Sequence, residues 1–423
     1  MPASAYSART PQRWAAPPSP VGGRNTTERH EQRHRAMLRT GIHGMYLLAL
    51  LAGCAPPLPQ RSPVGRLHRS YADSTRTDWD GRGPRPLEAT IWYPAAAGSR
   101  EVAWEIGIFR FGHGAPDAPF ADAVRHPIVL LSHGTGGSAA QLSWLAERLV
   151  MSGFVVAAVN HHGNTATEPR YRPQGFVLPW ERARDLSVLL DRITDDPTVG
   201  PHVDTTRVGA AGFSLGGYTA LAMAGARLTF SDWQRKRAAE PDAPWSTLPP
   251  EAPFTLADVD SLARLDAPFR ASVARSEQPT RDVRVQAVFA IAPALVPVLD
   301  AASLQSIRVP VRVVLGGEDA QVSPEPTREV LGRLVPEASI ELLLGVAHYT
   351  FLATCTWRGR VFARALCRDG RTKRTDVHAA VASDAARFFG GHLPARSGDR
   401  SSEGQPNYSI PRTALRAAAD AER

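Results

Sequence analysis

The middle of this 423-residue chain alternates short β-rich apolar runs with runs of helical period, which restricts it to few architectures. Seven runs have the composition of strands: residues 87–93, 127–132, 154–160, 207–213, 283–291, 311–316 and 339–344. Five runs have apolar residues at helical spacing: residues 139–151, 180–194, 215–226, 326–334 and 376–389. The sequence therefore predicts an α/β fold, with a mostly parallel, twisted sheet of about eight strands and helices on both faces.

One stretch interrupts this alternation. Residues 227–282 contain a charged run, a proline-rich loop and scattered aromatic side chains. This composition is typical of an inserted helical segment, so we expect residues 227–282 to form a small cap. The length alone suggests two or three domains, but we predict one domain over residues 62–395 that carries this cap.

The two ends of the chain differ from its body. Residues 1–53 are predicted to be a disordered leader and a signal peptide, because basic residues precede the apolar run 45–52. The tetrapeptide Leu51-Ala52-Gly53-Cys54 resembles the lipobox of bacterial lipoproteins, in which the cysteine is acylated and anchors the protein. Residues 54–61 would then be a tether, and residues 396–423 a disordered tail. We expect an exported lipoprotein of the outer membrane or periplasm. The alternatives are that the protein is secreted, or that Cys54 is a buried cysteine whose place in this pattern is a coincidence.

The net charge of +8 does not indicate a nucleic-acid partner. Seven arginines and two glutamates lie in residues 1–53, and five arginines and four acids lie in residues 396–423. The predicted domain between these ends is therefore nearly neutral, and we expect no binding to nucleic acid.

Two cysteines remain beside Cys54. Cys355 and Cys367 are twelve residues apart, and in an oxidising compartment they would form a disulfide. The alternative is a pair of buried free thiols.

A candidate nucleophile follows the predicted strand 207–213 directly. Gly212-Phe213-Ser214-Leu215-Gly216-Gly217 has the G-x-S-x-G pattern at a strand-to-helix turn. Gly212 and Gly216 are the small neighbours that such a turn requires, and the helix amino terminus behind Ser214 favours an oxyanion.

A serine nucleophile needs a base and a group that orients the base. His348 follows the last predicted strand and is the candidate general base. Asp319, after the strand 311–316, is the candidate acid, with the adjacent Glu318 as the alternative. This order of serine, acid and histidine is typical of hydrolases that have this turn.

The oxyanion needs two N–H donors. Leu215 follows the nucleophile and supplies one candidate amide, and Thr135 in the glycine-rich loop 133–137 supplies the other. The alternative is that this loop is a plain glycine turn. His133 and His162 flank the same predicted sheet edge and are expected to line the pocket. The adjacent His161 and His162 are a poor metal pair, because neighbouring side chains at a strand end point apart and no third ligand has suitable spacing, so we expect no metal and no organic cofactor.

With these residues in place, residues 62–393 resemble the α/β-hydrolase superfamily. Within it they resemble the bacterial predicted dienelactone hydrolases, relatives of platelet-activating-factor acetylhydrolase. The matching segments are residues 85–94, 132–137, 160–165, 212–220 and 347–348. True dienelactone hydrolases have a cysteine where this chain has Ser214. The acetylhydrolases have their acid after the strand that matches residues 283–291, where this chain has no carboxylate before Asp300.

The sequence thus predicts a serine hydrolase that cleaves a small-molecule or lipid ester and is attached to a membrane through Cys54. Two alternatives stay open. The same residues could cleave amides or peptides. The chain could also be a surface-anchored binding module on an inactive hydrolase scaffold.

Overall fold

The computed structural model describes residues 62–394. The predicted leader, signal peptide, tether and tail lie outside these described residues, and so does Cys54. Within residues 62–394, no helix combines the length and apolar character needed to cross a bilayer.

Eleven strands form the sheet of the described domain. They are β1 (Val64–Thr77), β2 (Pro84–Pro94), β3 (Val102–Ile106), β4 (Phe109–Pro116), β5 (His126–Ser132), β6 (Val155–Asn160), β7 (Val203–Phe213), β8 (Val285–Ile291), β9 (Val311–Gly316), β10 (Ala338–Leu343) and β11 (Thr354–Cys355). Their order is β10-β9-β8-β7-β5-β6-β2-β1-β4-β11, with β3 paired to β4. The six neighbouring strands β10, β9, β8, β7, β5 and β6 are parallel to one another. Strand β2 pairs with both β6 and β1 in antiparallel fashion.

Twelve α-helices lie in the described part of the chain. They are α1 (Ser143–Val150), α2 (Pro173–Val177), α3 (Trp180–Asp195), α4 (Leu215–Met223), α5 (Phe230–Ala239), α6 (Leu256–Leu265), α7 (Ala267–Arg275), α8 (Ala301–Gln305), α9 (Pro324–Leu334), α10 (Trp357–Phe362), α11 (Arg364–Cys367) and α12 (Arg374–His392). The expected cap segment, residues 227–282, contains α5, α6 and α7.

Each face of the sheet carries its own apolar core. In β5, Ile128 and Leu130 pack in one core, and Val129 and Leu131 pack in the other. Successive side chains of a strand point to opposite faces, so a continuous apolar run is what two covered faces require. Helix α3 lies on the first face, and α1 and α12 lie on the second.

The predicted fold class is confirmed, and every predicted strand and helix is present. The prediction of about eight strands was too low, because β1, β3, β4 and β11 were missed. The burial of these four strands is mixed or incomplete, so their sequences lack the continuous apolar runs of the buried strands.

The predicted disulfide between Cys355 and Cys367 is present. It joins β11 to the end of α11 and so closes the segment that contains α10.

Candidate active site

Ser214 lies between the end of β7 and the start of α4. Its φ of 57° is positive, a strained conformation for a residue other than glycine that costs about 1–3 kcal/mol. A Cβ at Gly212 would lie 2.1 Å from the Gly216 carbonyl oxygen, and one at Gly216 would lie 2.0 Å from the Ser132 carbonyl oxygen. Only glycine fits either position, as the sequence pattern predicted.

The structure brings Ser214, His348 and Asp319 into one hydrogen-bonded row. The Nε2 of His348 lies 3.0 Å from the Ser214 Oγ. On the other side of the ring, Nδ1 lies 2.6 Å from Oδ2 of Asp319. All three residues are buried, although Ser214 and His348 still border a large cavity. A proton can therefore pass from the hydroxyl to the imidazole, whose other nitrogen is held by a carboxylate.

Asp319, and not its neighbour Glu318, faces the histidine. The second oxygen of the Asp319 carboxylate accepts hydrogen bonds from the amides of Gln321 and Val322, at 2.9 and 2.7 Å. Glu318 points away and pairs with Arg371 at 2.6 Å. Two backbone donors thus fix the Asp319 carboxylate in the orientation that holds His348.

The two residues predicted to supply oxyanion donors border the same cavity as Ser214. Leu215 is the first residue of α4, where a helix provides no acceptor for the amide hydrogen. Thr135 is in the loop after β5 and borders the same cavity. The neighbouring amides of that loop are engaged elsewhere, since Gly136 donates to the Asn164 side chain and Gly137 to the Gly134 carbonyl.

The expectation that His133 and His162 line the pocket is wrong, because neither of them borders the cavity. His133 is buried behind its loop, where Nδ1 lies 2.7 Å from the Gly134 carbonyl oxygen and Nε2 accepts a hydrogen bond from the His161 amide. The Nδ1 of His162 lies 2.7 Å from Glu168. Polar partners behind the loops hold both rings away from the opening.

Sequence reasoning missed a buried polar row beneath the Thr135 loop. The Nε2 of His161 lies 2.9 Å from the Ser132 Oγ, and its Nδ1 lies 2.9 Å from Asp185. Arg85 pairs with the same carboxylate at 2.7 Å. Serine, histidine and aspartate are hydrogen-bonded in the same order here as at Ser214. This second row is fully enclosed, however, so no substrate can reach it.

The electrostatics of this row keep the histidine neutral. Burial, with the positive charge of Arg182, lowers the pKa of His161 to about 3. Burial alone would raise the pKa of Asp185, but Arg85 and Arg76 hold it well below its usual range. Arg182 donates to the carbonyl of His133, which ties the row to the Thr135 loop. One sequence signal was available, since Arg182 and Asp185 are in phase with the apolar face of α3.

The cavity in front of Ser214 has a volume of about 770 Å³. Its wall includes residues of the segment 227–282, among them Trp233, Trp245 and Leu248. Tyr349, next to His348, donates a 2.9 Å hydrogen bond to Glu251 of that segment. Within the part of the chain that the structure describes, no group of three or more histidine, cysteine or acidic residues is placed to hold a metal ion.

Comparison with known proteins agrees with this architecture. A family model described as PET hydrolase-like matches residues 74–262, a range that includes Ser214 and Thr135 but ends before Asp319 and His348. A solved ferulic acid esterase from Streptomyces cinnamoneus has a TM-score of 0.50 to this chain and is 22% identical in sequence. That match covers 82% of this chain and 96% of the esterase, so the two proteins share a fold.

Curated relatives match a shorter region. Cutinase 2 of Thermobifida cellulosilytica is 31% identical over 170 residues, which is 39% of this chain and 57% of the cutinase. Cutinase est1 of Thermobifida alba is 29% identical over 210 residues, which is 46% of this chain and 64% of that protein. A bis(hydroxyethyl) terephthalate hydrolase of Streptomyces coelicolor is 29% identical over 39% of this chain and 49% of its own length. The chain thus spans about half to two thirds of these relatives.

The fold, the turn at Ser214 and these matches place the chain in a known class. The protein belongs to the α/β-hydrolase superfamily. The resemblance to this superfamily that the sequence motifs predicted is thereby confirmed.

Proposed function

We propose that the protein is a serine hydrolase that cleaves carboxylic esters. The observation that carries this proposal is the row in which His348 lies 3.0 Å from the Ser214 Oγ and 2.6 Å from Asp319. A nucleophile, a base and an orienting acid at these distances are what acyl transfer requires.

The reaction follows from the roles of these groups. Ser214 attacks the ester carbonyl while His348 takes its proton, and Asp319 holds the imidazole in the required tautomer. The amides of Thr135 and Leu215 donate to the oxyanion of the tetrahedral intermediate. His348 then returns the proton to the leaving alcohol, and an acyl-enzyme forms. Water, activated by His348, attacks the acyl-enzyme and releases the acid and free Ser214.

The substrates are esters with a sizeable apolar acyl group. The relatives include cutinases and a bis(hydroxyethyl) terephthalate hydrolase, and the related fold is that of a ferulic acid esterase. The cavity is large, and tryptophan and leucine side chains from the expected cap contribute to its wall. We infer that residues 227–282 set the preferred acyl group.

The protein acts outside the cytoplasm. The order of basic residues, apolar run and Leu51-Ala52-Gly53-Cys54 supports export with acylation of Cys54, and secretion is the alternative. The disulfide between Cys355 and Cys367 is consistent with an oxidising compartment.

Hydrolysis of p-nitrophenyl acetate, butyrate and laurate, compared with matched p-nitroanilides, tests the proposal. We expect the esters to be cleaved faster, because an anilide leaving group departs less readily. A faster anilide series would instead identify an amidase or peptidase.

Labelling with a fluorophosphonate distinguishes an active serine hydrolase, whether esterase or amidase, from a binding module without activity. We expect the wild type to be labelled and Ser214→Ala not to be, and equal labelling of the two would contradict the assignment of Ser214.

A further inference from the structure

We propose that α10 and the β3–β4 turn form a docking surface for anionic phospholipid membranes. This surface would deliver membrane-dissolved esters to the cavity. The delivery step rests on the proposed esterase function, whereas membrane binding does not. The surface consists of Ile106, Trp357, Val361 and Phe362, here called the apolar rim, and of the arginines that surround it.

The apolar rim exposes large side chains in one place. The exposed fractions are 59% for Ile106, 66% for Trp357, 55% for Val361 and 77% for Phe362. Single exposed apolar residues are ordinary on a protein surface, but a contiguous group marks an interaction site. Trp357 and Val361 are four residues apart on α10, so they share one face of that helix.

Contacts between α10 and the β3–β4 turn make the rim continuous. The amide of Thr356, just before α10, donates to the Ile108 carbonyl at 3.0 Å, and its hydroxyl donates to the Gly107 carbonyl at 3.3 Å. Gly359 is the buried residue of α10, and a Cβ there would lie 2.5 Å from the Ile108 oxygen. The helix therefore packs on the turn through Gly359 while Trp357, Val361 and Phe362 stay exposed, and Ile106 lies just before the Ile108 carbonyl that the helix contacts.

The positive charge around the apolar rim favours an anionic membrane as the partner. Residues 357–371 contain five exposed arginines and one acid: Arg358, Arg360, Arg364, Arg368, Arg371 and Asp369. Among the described ion pairs, Arg371 pairs with Glu318, and Asp369 pairs with Arg374 outside this group. The other four arginines have no described ion pair, and only Arg358 has another described partner, the Trp357 ring at 5.6 Å, so these exposed guanidinium groups are available to lipid phosphates. Tryptophan beside arginine is typical of the interface between water and lipid headgroups.

The rim also meets the entrance of the catalytic cavity. Ile106 belongs to the rim and to the cavity wall, and Leu366, in α11, borders the same cavity. An ester that leaves a bilayer at the rim could reach the cavity without crossing bulk water. The disulfide between Cys355 and Cys367 brackets α10 and so keeps the rim beside that entrance.

An anionic bilayer accounts for these observations better than a second copy or a solid polyester, because only the bilayer uses both the apolar and the cationic groups. The anchor proposed on Cys54 would hold the chain at a membrane but would not orient the domain. The rim would supply the orientation.

Vesicle co-sedimentation of the full chain carrying Cys54→Ser tests this without a contribution from acylation. We expect binding to vesicles of 70% phosphatidylcholine and 30% phosphatidylglycerol, weaker binding to pure phosphatidylcholine, and loss of the difference at high salt. Adding Trp357→Ser and Phe362→Ser should reduce partitioning at least tenfold. Adding Arg358→Ser and Arg364→Ser instead should weaken binding only to the anionic vesicles.

The matched control is Val283→Ser, which removes a side chain that is 82% exposed next to the amino end of β8, at the sheet edge opposite Ser214. It should bind vesicles like its parent. Equal binding of the parent and the Trp357→Ser/Phe362→Ser variant would overturn the proposal. Two other results would also overturn it. One is a dimer that forms without lipid and is abolished by the rim substitutions. The other is adsorption to a polyester film in preference to vesicles that the same substitutions abolish.

Activity separates this proposal from the proposed function. The rim variants should hydrolyse soluble p-nitrophenyl acetate like their parent but should lose activity on esters dissolved in the anionic vesicles. Vesicle binding without hydrolysis of any ester would refute the esterase function and leave the docking surface standing. Unchanged activity of the rim variants on vesicle-dissolved esters would refute the delivery step.

Discussion

At the scale of single residues, the adjacent carboxylates Glu318 and Asp319 show how the chain assigns different roles to similar groups. Both follow β9, and sequence spacing favoured Asp319 while leaving Glu318 open. In the structure, Asp319 contacts His348 at 2.6 Å, and Glu318 pairs with Arg371 at the surface. The deciding interactions are the two backbone amides at residues 321 and 322 that bind the Asp319 carboxylate.

Substituting these two carboxylates separately tests the assignment. Asp319→Asn should lower kcat for p-nitrophenyl butyrate by about 10³- to 10⁴-fold, because an amide no longer holds the imidazole in the reactive tautomer. Glu318→Gln, the matched control, should retain most of the activity, since it loses only an exposed ion pair with a small energetic contribution. If Glu318→Gln proved the more damaging change, the acid would have been misassigned.

The two histidines that failed as pocket residues mark the limit of sequence reasoning at this scale. The sequence placed His133 and His162 correctly after buried strands, at the same sheet edge as Ser214. It could not indicate which way their rings turn. The orientation of each ring depends on its hydrogen-bond partners in the folded chain, which include the amide of His161 for His133 and the carboxylate of Glu168 for His162.

At the scale of secondary structure elements, the buried strands and the half-buried β10 were predictable, and the other partly exposed strands were not. Strands such as β5 and β8 are covered on both faces and carry apolar runs. The hairpin of β3 and β4 is mostly half-buried or exposed, and β11 has only two residues. Their pairing depends on backbone hydrogen bonds to neighbours, which leave little signal in the sequence.

The turn from β7 into α4 is the element whose sequence requirement is strictest. Gly216→Ala should cost about 3 kcal/mol or more of unfolding free energy and should abolish ester hydrolysis, because its Cβ would lie 2.0 Å from the Ser132 carbonyl oxygen. The strand and helix would have to separate, which would displace Ser214. Urea unfolding and p-nitrophenyl acetate hydrolysis measure the two effects.

The control for this substitution lies in α12. A Cβ at Gly390 would meet no atom within 4 Å, so Gly390→Ala should keep full activity and gain about 0.5–1 kcal/mol of stability from helix propensity. An active, stable Gly216→Ala protein would show that the turn tolerates a side chain and would contradict the packing argument.

At the scale of the whole molecule, buried neutral histidines link the stability of the fold to pH. Burial is the main cause that lowers the pKa of His161 and of His378 to about 3, with Arg182 and Arg374 adding to it. The pKa of His133 is also held well below its usual range by burial and by Arg182. His133 and His161 are in contact, with ring centroids 5.0 Å apart, so these two groups titrate as a coupled pair and their effects need not add.

The sign of the pH effect follows from the protons that each state binds. In the unfolded chain these histidines take up protons below a pKa of about 6.5, whereas the folded protein keeps His161 and His378 neutral until about pH 3. The free energy of unfolding should therefore fall as the pH drops through this window. Once the unfolded chain is fully protonated, each histidine contributes about 1.4 kcal/mol per pH unit. Asp185, whose pKa is lowered in the folded state, should add to the loss below about pH 4.

Urea unfolding at pH 7.5, 6.5, 5.5 and 4.5 measures this slope, and His378→Gln isolates the contribution of one group. The Nε2 of His378 lies 3.1 Å from the Thr350 carbonyl oxygen, and glutamine can supply an uncharged donor there that does not titrate. The slope of this variant below pH 5.5 should be smaller than that of the wild type by about 1.4 kcal/mol per pH unit, whatever its stability at pH 7.5. An unchanged slope in His378→Gln would mean that His378 becomes protonated inside the folded protein. A wild-type stability that stays constant from pH 6.5 to 4.5 would mean the same for His161 as well. In that second case, the enclosed row beneath the Thr135 loop would carry a positive charge on His161.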